Sequence, residues 1–214
     1  MQKDLSDYRK SYEKGALIEE QITDNPFDLF SKWFKEVEAA GGVEEANAMT
    51  VSTIGSDGFP KSRIVLLKHY DENGLVFYTN YSSDKGKAIS ENPNVCISFF
   101  WPNLERQVII KGTAEKLPKK DSESYFNSRP RGSQLGAWAS DQSSIISSRK
   151  ILEDKLSDLE SKYKNKDIPK PPHWGGFIVI PKNFEFWQGR PNRLHDRMLY
   201  FLENNKWIHN RLAP

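Results

Sequence analysis

The chain has 214 residues, 37% hydrophobic and 28% charged, and its 31 basic against 29 acidic residues give a formal net charge of +2. This length fits a single domain, residues 1–214, whose core folds without disulfides or metal ions. The charge balance argues against a nucleic-acid partner, and no apolar run approaches the roughly 20 residues that span a bilayer. Cys96 is the only cysteine, which excludes an intrachain disulfide, and the sequence has no Cys/His cluster with zinc spacing. The charged first residues lack the apolar segment of a secretory signal, so we expect a cytoplasmic protein. From the composition as a whole we expect no metal and no membrane partner.

The first 42 residues predict an arm followed by one firm helix. Residues 1–25 are polar and have no sustained period, so they form at most one short helix. Asp24 or Asn25 can cap the next helix, Pro26 fits its first turn, and Gly41-Gly42 ends it. The apolar side chains of this helix recur at helical spacing, so we expect them to pack in the core rather than against a cofactor.

Two groups of short β-rich segments follow, separated by a helical insert. Alternating apolar residues and turn signals predict strands in the first group at residues 49–54, 61–70, 75–81, 95–101 and 107–116. The second group has predicted strands at residues 176–180, 184–187, 198–203 and 207–211. Helices are expected at residues 83–92, 121–128 and 147–164. Short strands at this spacing predict a mainly β fold, an antiparallel β-barrel with flanking helices.

The predicted strand at residues 61–70 has an unusual pattern, with the apolar run Ile64 to Leu67 between Arg63 and Lys68. With a period of two, apolar side chains lie on both faces, so we expect this strand to be buried on both sides. Charges at the ends of such a strand need anionic partners. Two solvated strand-end charges are the alternative.

Three further clusters combine cations with hydroxyl or aromatic groups. Residues 83–85, Ser-Asp-Lys, open a predicted helix whose N-terminus offers unpaired backbone donors to a phosphate; an ordinary helix cap is the alternative. Residues 128–133, Ser-Arg-Pro-Arg-Gly-Ser, follow Tyr125 and predict a rigid phosphate-binding loop or a solvated one. Residues 187–197 hold three arginines and His195. Separate cationic clusters suggest two phosphate groups, one on a cofactor and one on a substrate.

Several common cofactor and catalytic motifs are absent from the sequence. It has no Gly-x-Gly-x-x-Gly after a predicted strand, no Gly-x-x-x-x-Gly-Lys-Ser/Thr, no His-Glu-x-x-His and no Gly-x-Ser-x-Gly. A Rossmann enzyme, a P-loop NTPase, a zincin and an α/β-hydrolase are therefore not indicated.

Six segments, taken in order, point to one enzyme family. They are Arg63–Lys68, Phe77–Asn80, Glu105–Val108, Ser128–Ser133, Arg193–Arg197 and Arg211–Pro214. From about Tyr8 to its last residue, the chain resembles the pyridoxamine 5′-phosphate oxidase family. The resemblance implies an FMN-binding split barrel and a homodimer with FMN at the subunit interface. It also implies oxidation of pyridoxamine or pyridoxine 5′-phosphate to pyridoxal 5′-phosphate, with O2 as the final acceptor and H2O2 as the second product.

The resemblance also implies roles for individual residues. It implies FMN contacts for Arg63, Ile64, Val65, Leu66, Leu67, Lys68, Tyr78, Thr79, Lys85, Gln107, Gln142, Ser143, Trp187 and Arg197. It places the substrate phosphate at Lys68, Tyr125, Arg129 and Ser133. It places Arg193 and His195 beside the substrate ring as catalytic residues, and Arg9 and Tyr12 in a mobile N-terminal arm, residues 1–25, that covers the substrate.

One position departs from the family pattern. The segment that opens the short helix usually carries Arg-Lys, whereas this chain has Asp84-Lys85. A carboxylate close to a phosphate repels it unless the side chain turns away or caps the helix, so we expect weaker cofactor binding than is usual.

Two other functions stay open: a related flavoprotein with a different substrate, and a non-catalytic carrier of flavin or pyridoxal phosphate.

Overall fold

The computed structural model describes residues 3–214, and within that range β-strands predominate. The strands are β1 (Ala48–Ile54), β2 (Pro60–Leu66), β3 (His69–Asp71), β4 (Gly74–Asn80), β5 (Asn94–Trp101), β6 (Arg106–Lys116), β7 (Trp174–Gln188), β8 (Asp196–Glu203) and β9 (Lys206–Leu212). The helices are α1 (Pro26–Ala40), α2 (Asp84–Glu91), α3 (Lys119–Ser128), α4 (Arg131–Ala139) and α5 (Lys150–Lys162), with short 3-10 turns at Glu19–Gln21 and Pro191–Arg193. The predicted mainly β class with flanking helices is confirmed.

The described residues fall into two compact units. The first unit contains the described part of residues 1–49 together with residues 97–111 and 182–214, and the second contains residues 50–96 and 112–181. Strands β1, β5, β6 and β7 each continue from one unit into the other. The organisation of residues 1–214 as a single domain stays a prediction.

The strands are joined in an antiparallel pattern wherever their register is defined. Hydrogen-bonded neighbours follow the order β2-β1-β5-β6-β7-β4-β3, with β8 paired to β7 and β9 paired to β8. The pairs β3–β4, β4–β7, β7–β8 and β8–β9 are antiparallel. The last hairpin turns at Asn204-Asn205, as predicted. Both residues have positive φ, 50° and 61°, which matches a tight two-residue turn between twisted strands.

Helix α1 begins and ends at the predicted residues. The Asn25 side chain accepts a hydrogen bond from the Phe27 backbone N at 3.0 Å, Pro26 occupies the first turn, and the chain leaves the helix at Gly41 with a φ of 64°. The predicted cap, first turn and end of this helix are confirmed.

The core of the first unit is aromatic. From α1, Phe30 packs on Phe99 with ring centroids 5.3 Å apart, and Trp33 packs edge-on against Phe186 at 5.2 Å. All four side chains are buried. The apolar stripe of α1 therefore packs in the core, as predicted.

The second unit is organised around the buried strand β4 and its partner β7. Tyr78 of β4 lies opposite Gly176 of β7. A Cβ atom at Gly176 would lie 2.9 Å from the Tyr78 ring and 2.5 Å from Leu117, so glycine allows the tyrosine ring to lie close over β7. A second cluster of buried side chains lies beside this pair: Phe126, Leu135, Tyr163, Ile168 and Trp174.

Three predictions about strands are wrong. The strand predicted at residues 61–70 is divided into β2 and β3, because the extended pairing stops after Leu66. Burial on both faces is wrong as well, since the Ile64 side chain is 66% exposed. β2 stands at the end of the strand order, where fewer neighbouring side chains can cover it. The segments 176–180 and 184–187 form one strand, β7, which runs through Pro181, a residue whose fixed φ an extended chain tolerates.

Two predictions about helices also need correction. Residues 131–133, expected in a loop, form the first turn of α4 after Pro130. Gly132 and Gly136 lower the helix propensity of this segment, so the sequence did not predict a helix there. Helix α5 is shorter than the predicted 147–164, and none of its own residues is fully buried. The short helix allowed in the arm is the 3-10 turn Glu19–Gln21.

Candidate functional site

A cavity of about 470 Å³ in the second unit gathers most of the residues predicted to bind phosphate and cofactor. The predicted residues that line it are Ile64, Val65, Leu66, Lys68, Tyr78, Thr79, Lys85, Tyr125, Arg129, Ser133 and Gln142. They come from β2, β4, α2, α3, α4 and the segments that follow β2, α3 and α4. We call this space the cationic cavity, because its lining includes three cations and, within the described chain, no carboxylate.

Lys85 is one of these cations and is held in an unusually buried position. It lies in the first turn of α2, whose N-cap is Ser83, and it is 7% exposed. Its Nζ donates a hydrogen bond to Thr79 Oγ1 at 3.1 Å. Burial lowers the pKa of Lys85, and the nearby charge of Arg63 lowers it further. The Asp84 carboxylate opposes these effects only in part. A buried ammonium that is hydrogen-bonded to a neutral hydroxyl is costly, and an anion would relieve that cost.

Arg129 supplies the clearest sign of an anion site. Its guanidinium lies over the Trp174 ring, 4.7 Å from the ring centroid, and 5.8 Å from the centroid of Phe126. Its Nη1 is buried and has no hydrogen-bond partner among the described residues. Burial lowers the pKa of this guanidinium as well. Because buried donors are normally satisfied, an orphaned guanidinium nitrogen beside a cavity fits a phosphate or carboxylate oxygen.

A stack of aromatic rings forms one wall of the cationic cavity. The rings of Tyr78 and Tyr125 are 3.9 Å apart and inclined by 16°, and the Trp174 ring is 5.4 Å from Tyr78 at 10°. Burial raises the pKa of the Tyr78 hydroxyl, as do the neighbouring Tyr125 and Asp121. The phenol is therefore neutral and can donate a hydrogen bond at neutral pH. Parallel rings with cations beside them suit a planar, phosphorylated ligand.

A smaller cavity of about 210 Å³ in the same unit is lined by Arg63, Lys61 and Asp84 among others. Arg63 Nη1 donates to Thr53 Oγ1 at 2.8 Å and to the Val51 carbonyl at 3.1 Å. Burial lowers the pKa of Arg63, and Asp84 opposes this effect. Asp84 pairs with Lys61, which is the main reason why the pKa of its carboxyl lies below the ordinary value. The Asp84 side chain thus has a cationic partner on β2.

Two predicted cofactor residues of the second unit lie outside the lining of both cavities. Leu67 is buried in the core at 4% exposure. Ser143 is exposed, has a φ of 73°, and its Oγ accepts a hydrogen bond from the Asp84 backbone N at 3.2 Å. Ser143 therefore contacts the N-terminus of α2 and neighbours Gln142, which does line the cationic cavity.

The remaining predicted residues belong to the first unit, and three of them form an aromatic cluster. The rings of Trp187 and His195 are 4.7 Å apart, and Tyr12 packs on both, at 5.6 Å and 5.8 Å. We call these three rings the Tyr12 cluster. His195 Nδ1 accepts a hydrogen bond from the Arg190 backbone N at 3.1 Å, so a neutral imidazole carries its proton on Nε2. The structure thus fixes the tautomer and leaves the Nε2–H as a donor.

The other first-unit residues differ in how they are held. Arg193 is exposed and has a φ of 62° in the 3-10 turn before β8. Arg197 binds Glu185 Oε1 through Nε and Nη2 at 2.9 Å and 2.7 Å. Gln107 is half-buried on β6, and Arg9 is exposed, with its Nε donating to the Ser6 carbonyl at 3.0 Å.

The structure adds residues that the sequence did not single out. The cationic cavity is also lined by Asn80, Gly136, Ala137, Ser140 and Trp174. Trp174 begins β7, but the sequence predicted that strand only from residue 176, so no sequence signal singled out this tryptophan. Glu105 begins the segment Glu105–Val108 that resembles the family, yet nothing in the sequence indicated that its carboxylate is buried.

The described side chains also bear on metal binding and membrane insertion. In residues 3–214, His, Cys, Asp and Glu side chains do not come together in threes or more as metal ligands. Across the same residues, every helix is too short or too polar to cross a membrane.

The chain is similar in sequence to proteins of one known family. Residues 35–163 match the family profile "Pyridoxamine 5′-phosphate oxidase", and residues 174–214 match "Pyridoxine 5′-phosphate oxidase C-terminal dimerisation region". A pyridoxine/pyridoxamine 5′-phosphate oxidase of Christiangramia forsetii is 58% identical over 214 residues, which cover 100% of both chains.

Two solved structures are similar to this chain. PhzG from Burkholderia lata, in complex with tetrahydrophenazine-1-carboxylic acid, has a TM-score of 0.86 at 27% identity and covers 93% of this chain and 98% of its own. A pyridoxamine 5′-phosphate oxidase-related, FMN-binding protein from Nostoc punctiforme has a TM-score of 0.70 at 16% identity, over 90% and 100% of the two chains. These likenesses confirm the predicted split-barrel fold.

Proposed function

Because the chain belongs to the pyridoxine/pyridoxamine 5′-phosphate oxidase family, it is an oxidoreductase, and we propose that it uses FMN and O2. The substrate is pyridoxamine or pyridoxine 5′-phosphate, and the products are pyridoxal 5′-phosphate and H2O2. The observation that carries this proposal is the cationic cavity, where the buried Nη1 of Arg129 has no partner among the described residues beside three parallel rings.

The donors of the cationic cavity, together with Arg63 of the smaller cavity, would hold two phosphorylated aromatic molecules. Lys68, Tyr125, Arg129 and Ser133 would hold the substrate phosphate. We assign the FMN phosphate to Lys85, whose buried ammonium donates a hydrogen bond to the neutral Thr79 side chain, and to Arg63, which is partly buried. Backbone and side chains of residues 64–68, with Tyr78, Thr79 and Gln142, would hold the rest of the cofactor. In the same proposal Leu67, Gln107, Ser143, Trp187 and Arg197 complete the FMN contacts.

Most of the chemistry at this site is binding and orientation. When bound, FMN supplies the acceptor for the two electrons that the substrate loses, and O2 receives them as H2O2. Arg193 and His195 orient the substrate ring, and the Nε2–H of His195 donates to a ring substituent. Arg9 and Tyr12 cover the bound substrate. His195 is an orienting group in this scheme and not an obligate base.

The assembly and location of the enzyme form part of the same proposal. The matched C-terminal dimerisation region, residues 174–214, supports a homodimer, and we place FMN at its subunit interface. Light scattering of the purified protein tests the dimer, and loss of bound flavin on dissociation tests the interface. We also place the enzyme in the cytoplasm, which cell fractionation tests.

One experiment tests the function directly. The purified protein should show a flavin absorption spectrum that pyridoxamine 5′-phosphate bleaches without oxygen and that air restores, with release of H2O2. Bleaching by unphosphorylated pyridoxamine at equal concentration would argue for a flavoprotein with another substrate. A yellow protein that no B6 phosphate bleaches would be a carrier, and a colourless protein that stays inactive with added FMN would contradict the proposal.

A further inference from the structure

We propose that Glu105 is a positioning residue for this reaction: its buried carboxylate fixes residues 10–17 so that Tyr12 packs on Trp187 and His195. The inference rests on the proposed function, because it concerns how His195 and the covering segment are held. All the groups involved belong to the first unit.

Both carboxylate oxygens of Glu105 are used by the N-terminal segment. Oε2 accepts hydrogen bonds from the backbone N of Glu13 at 2.8 Å and of Lys14 at 3.0 Å. Oε1 forms an ion pair with Lys10 Nζ at 3.1 Å. A single side chain thus satisfies three donors from five consecutive residues.

Glu105 is poorly suited to a purely structural role in its turn. It is 1% exposed and has a φ of 56°, a left-handed conformation that costs free energy for a residue with a Cβ atom. Burial acts to raise its pKa, yet the donors from Lys14, Lys10 and Glu13 together hold the pKa below the ordinary value of 4.5. The carboxylate is therefore charged at neutral pH, and the groups that compensate its burial all come from the arm.

A second anchor lies a few residues further along the segment. The Leu17 backbone N donates to Asp196 Oδ2 at 3.0 Å, and the Leu17 carbonyl accepts from Arg211 Nη2 at 3.0 Å. With Leu17 held at one end and Glu13 and Lys14 held by Glu105, the position of Tyr12 is determined by its neighbours. Without Glu105, the chain before Leu17 would lose three of its contacts with the unit.

Close packing at Gly189 supports the same placement. A Cβ atom there would lie 2.7 Å from Tyr12 Cγ and 3.2 Å from Glu105 Cβ. The Gly189 backbone N also donates to the Glu105 carbonyl at 2.8 Å. Tyr12, Gly189 and Glu105 therefore pack directly on one another, and the Tyr12 ring lies where it contacts Trp187 and His195.

The test compares Glu105→Ala with Glu105→Gln. Amide hydrogen exchange in the folded protein should be faster at Glu13 and Lys14 by about tenfold or more in Glu105→Ala, because a hydrogen bond to a charged group is lost at each. Glu105→Gln keeps one acceptor oxygen and loses the ion pair, so its exchange should be intermediate. The KM for pyridoxamine 5′-phosphate should follow the same order, rising about tenfold in Glu105→Ala while kcat changes less than about threefold.

Glu36→Gln is the matched control. Glu36 pairs with Arg106 Nη1 at 2.5 Å in the same unit, so this variant also removes an ion pair but leaves Tyr12 and Lys14 untouched. It should leave amide exchange at Glu13 and Lys14, and the KM, at wild-type values. If Glu105→Ala does not fold, Gly189→Ala displaces the Tyr12 ring without changing a charge and should raise the KM in the same way.

Two results would overturn the proposal. Unchanged exchange at Glu13 and Lys14 in Glu105→Ala would show that the carboxylate does not hold the segment. A lower kcat with an unchanged KM would also contradict it, because that pattern means a loss of folded protein or of an interaction made only in the transition state, and not weaker covering of the substrate. The exchange measurement needs no turnover, so an inactive wild-type protein whose exchange depends on Glu105 would reject the oxidase function and retain the anchoring role.

Discussion

The guanidinium of Arg129 lies 4.7 Å from the centroid of the Trp174 ring, and its Nη1 is buried without a hydrogen-bond partner among the described residues. This cation–π contact favours the observed position of the guanidinium before any ligand arrives. A lysine at the same place would keep the charge and lose the planar fork of donors.

Arg129→Lys should therefore weaken substrate binding. We expect the KM for pyridoxamine 5′-phosphate to rise roughly 10- to 100-fold, the loss of one hydrogen bond to a charged group, with a smaller change in kcat. Steady-state kinetics at saturating FMN measures both. Arg131→Lys is the control, because Arg131 donates to the carbonyls of Tyr163 and Lys166 and does not line the cavity. Equal KM values for the parent and Arg129→Lys would remove Arg129 from the phosphate site.

Lys85→Met should separate stability from cofactor binding. The pKa of Lys85 is lowered by burial and then by Arg63, so between the folded value and the ordinary 10.5 the unfolded chain binds more protons and stability rises with pH. Below that range the buried charge lowers the stability of the cofactor-free protein. Removing the charge should thus stabilise this form by about 0.5–2 kcal/mol at pH 7. Thermal unfolding without FMN measures the change.

The same variant should bind FMN more weakly and riboflavin about as well as the parent does, because the two flavins differ only in the phosphate. Flavin fluorescence titration provides both dissociation constants. If affinity for riboflavin falls as far as affinity for FMN, Lys85 does not act on the phosphate.

Asp84→Arg should tighten FMN binding. The substitution replaces a carboxylate by a cation at the start of α2, close to Lys85 and Arg63. Asp84 is exposed and paired with Lys61, so the gain is small, about two- to fivefold in the dissociation constant. Titration at low and high salt checks the electrostatic origin, since screening should reduce the gain.

Asp84→Asn removes the charge alone and should give an intermediate affinity. Unchanged or weaker binding of FMN by Asp84→Arg would contradict the expectation that the carboxylate disfavours the cofactor phosphate.

Arg193→Leu should lower turnover far more than it lowers FMN affinity. Arg193 is exposed, at a φ of 62° beside the Tyr12 cluster residue His195, and in our proposal it orients the substrate ring. We expect kcat/KM to fall at least about tenfold, the loss of one charge-assisted contact, with the FMN dissociation constant changed by less than about threefold. Equal losses in both quantities would give Arg193 a structural role.

The contribution of Glu105 to stability should depend on pH. Its folded pKa lies below the ordinary 4.5, so its stabilising effect is complete above pH 4.5 and is lost as the pH falls through the folded value. The charged side chain that faces the carboxylate is Lys10, which forms the ion pair with Oε1. The difference in melting temperature between the parent and Glu105→Ala should be constant from pH 7 to pH 5 and shrink below pH 4.5. A difference that persists unchanged at pH 3 would show that charge is not the cause.

Periodic and terminating signals explain which parts of the fold could be predicted. Helix α1 was predictable because Asn25, Pro26 and Gly41 mark its ends and its apolar residues face a single core. The strand containing Ile64 was misjudged because an apolar pattern shows which faces could be buried, and only the neighbours of β2 decide which are. Helix α4 was missed because Pro130 and Gly132 indicate a loop as readily as a helix start.

The candidate site was predictable where chemistry depends on residue type. Cations and hydroxyl groups such as Lys85, Arg129 and Ser133 signal phosphate binding in any sequence, and the structure brings these three to one cavity. Trp174 and Glu105 were not predictable, because their roles arise from contacts with residues distant in the chain. The stacking of Trp174 on Tyr78 spans 96 positions, and the bond from Glu105 to Glu13 spans 92.

The exposed apolar residues of β2 affect how the isolated chain behaves in solution. Ile64 is 66% exposed on an outer strand, and Phe59, directly before that strand, is 72% exposed. Outer strands with apolar side chains offer free main-chain groups to other molecules and are frequent starting points for aggregation. Monomeric chains are therefore prone to aggregate through β2. Conditions that cover β2 should keep the protein in solution.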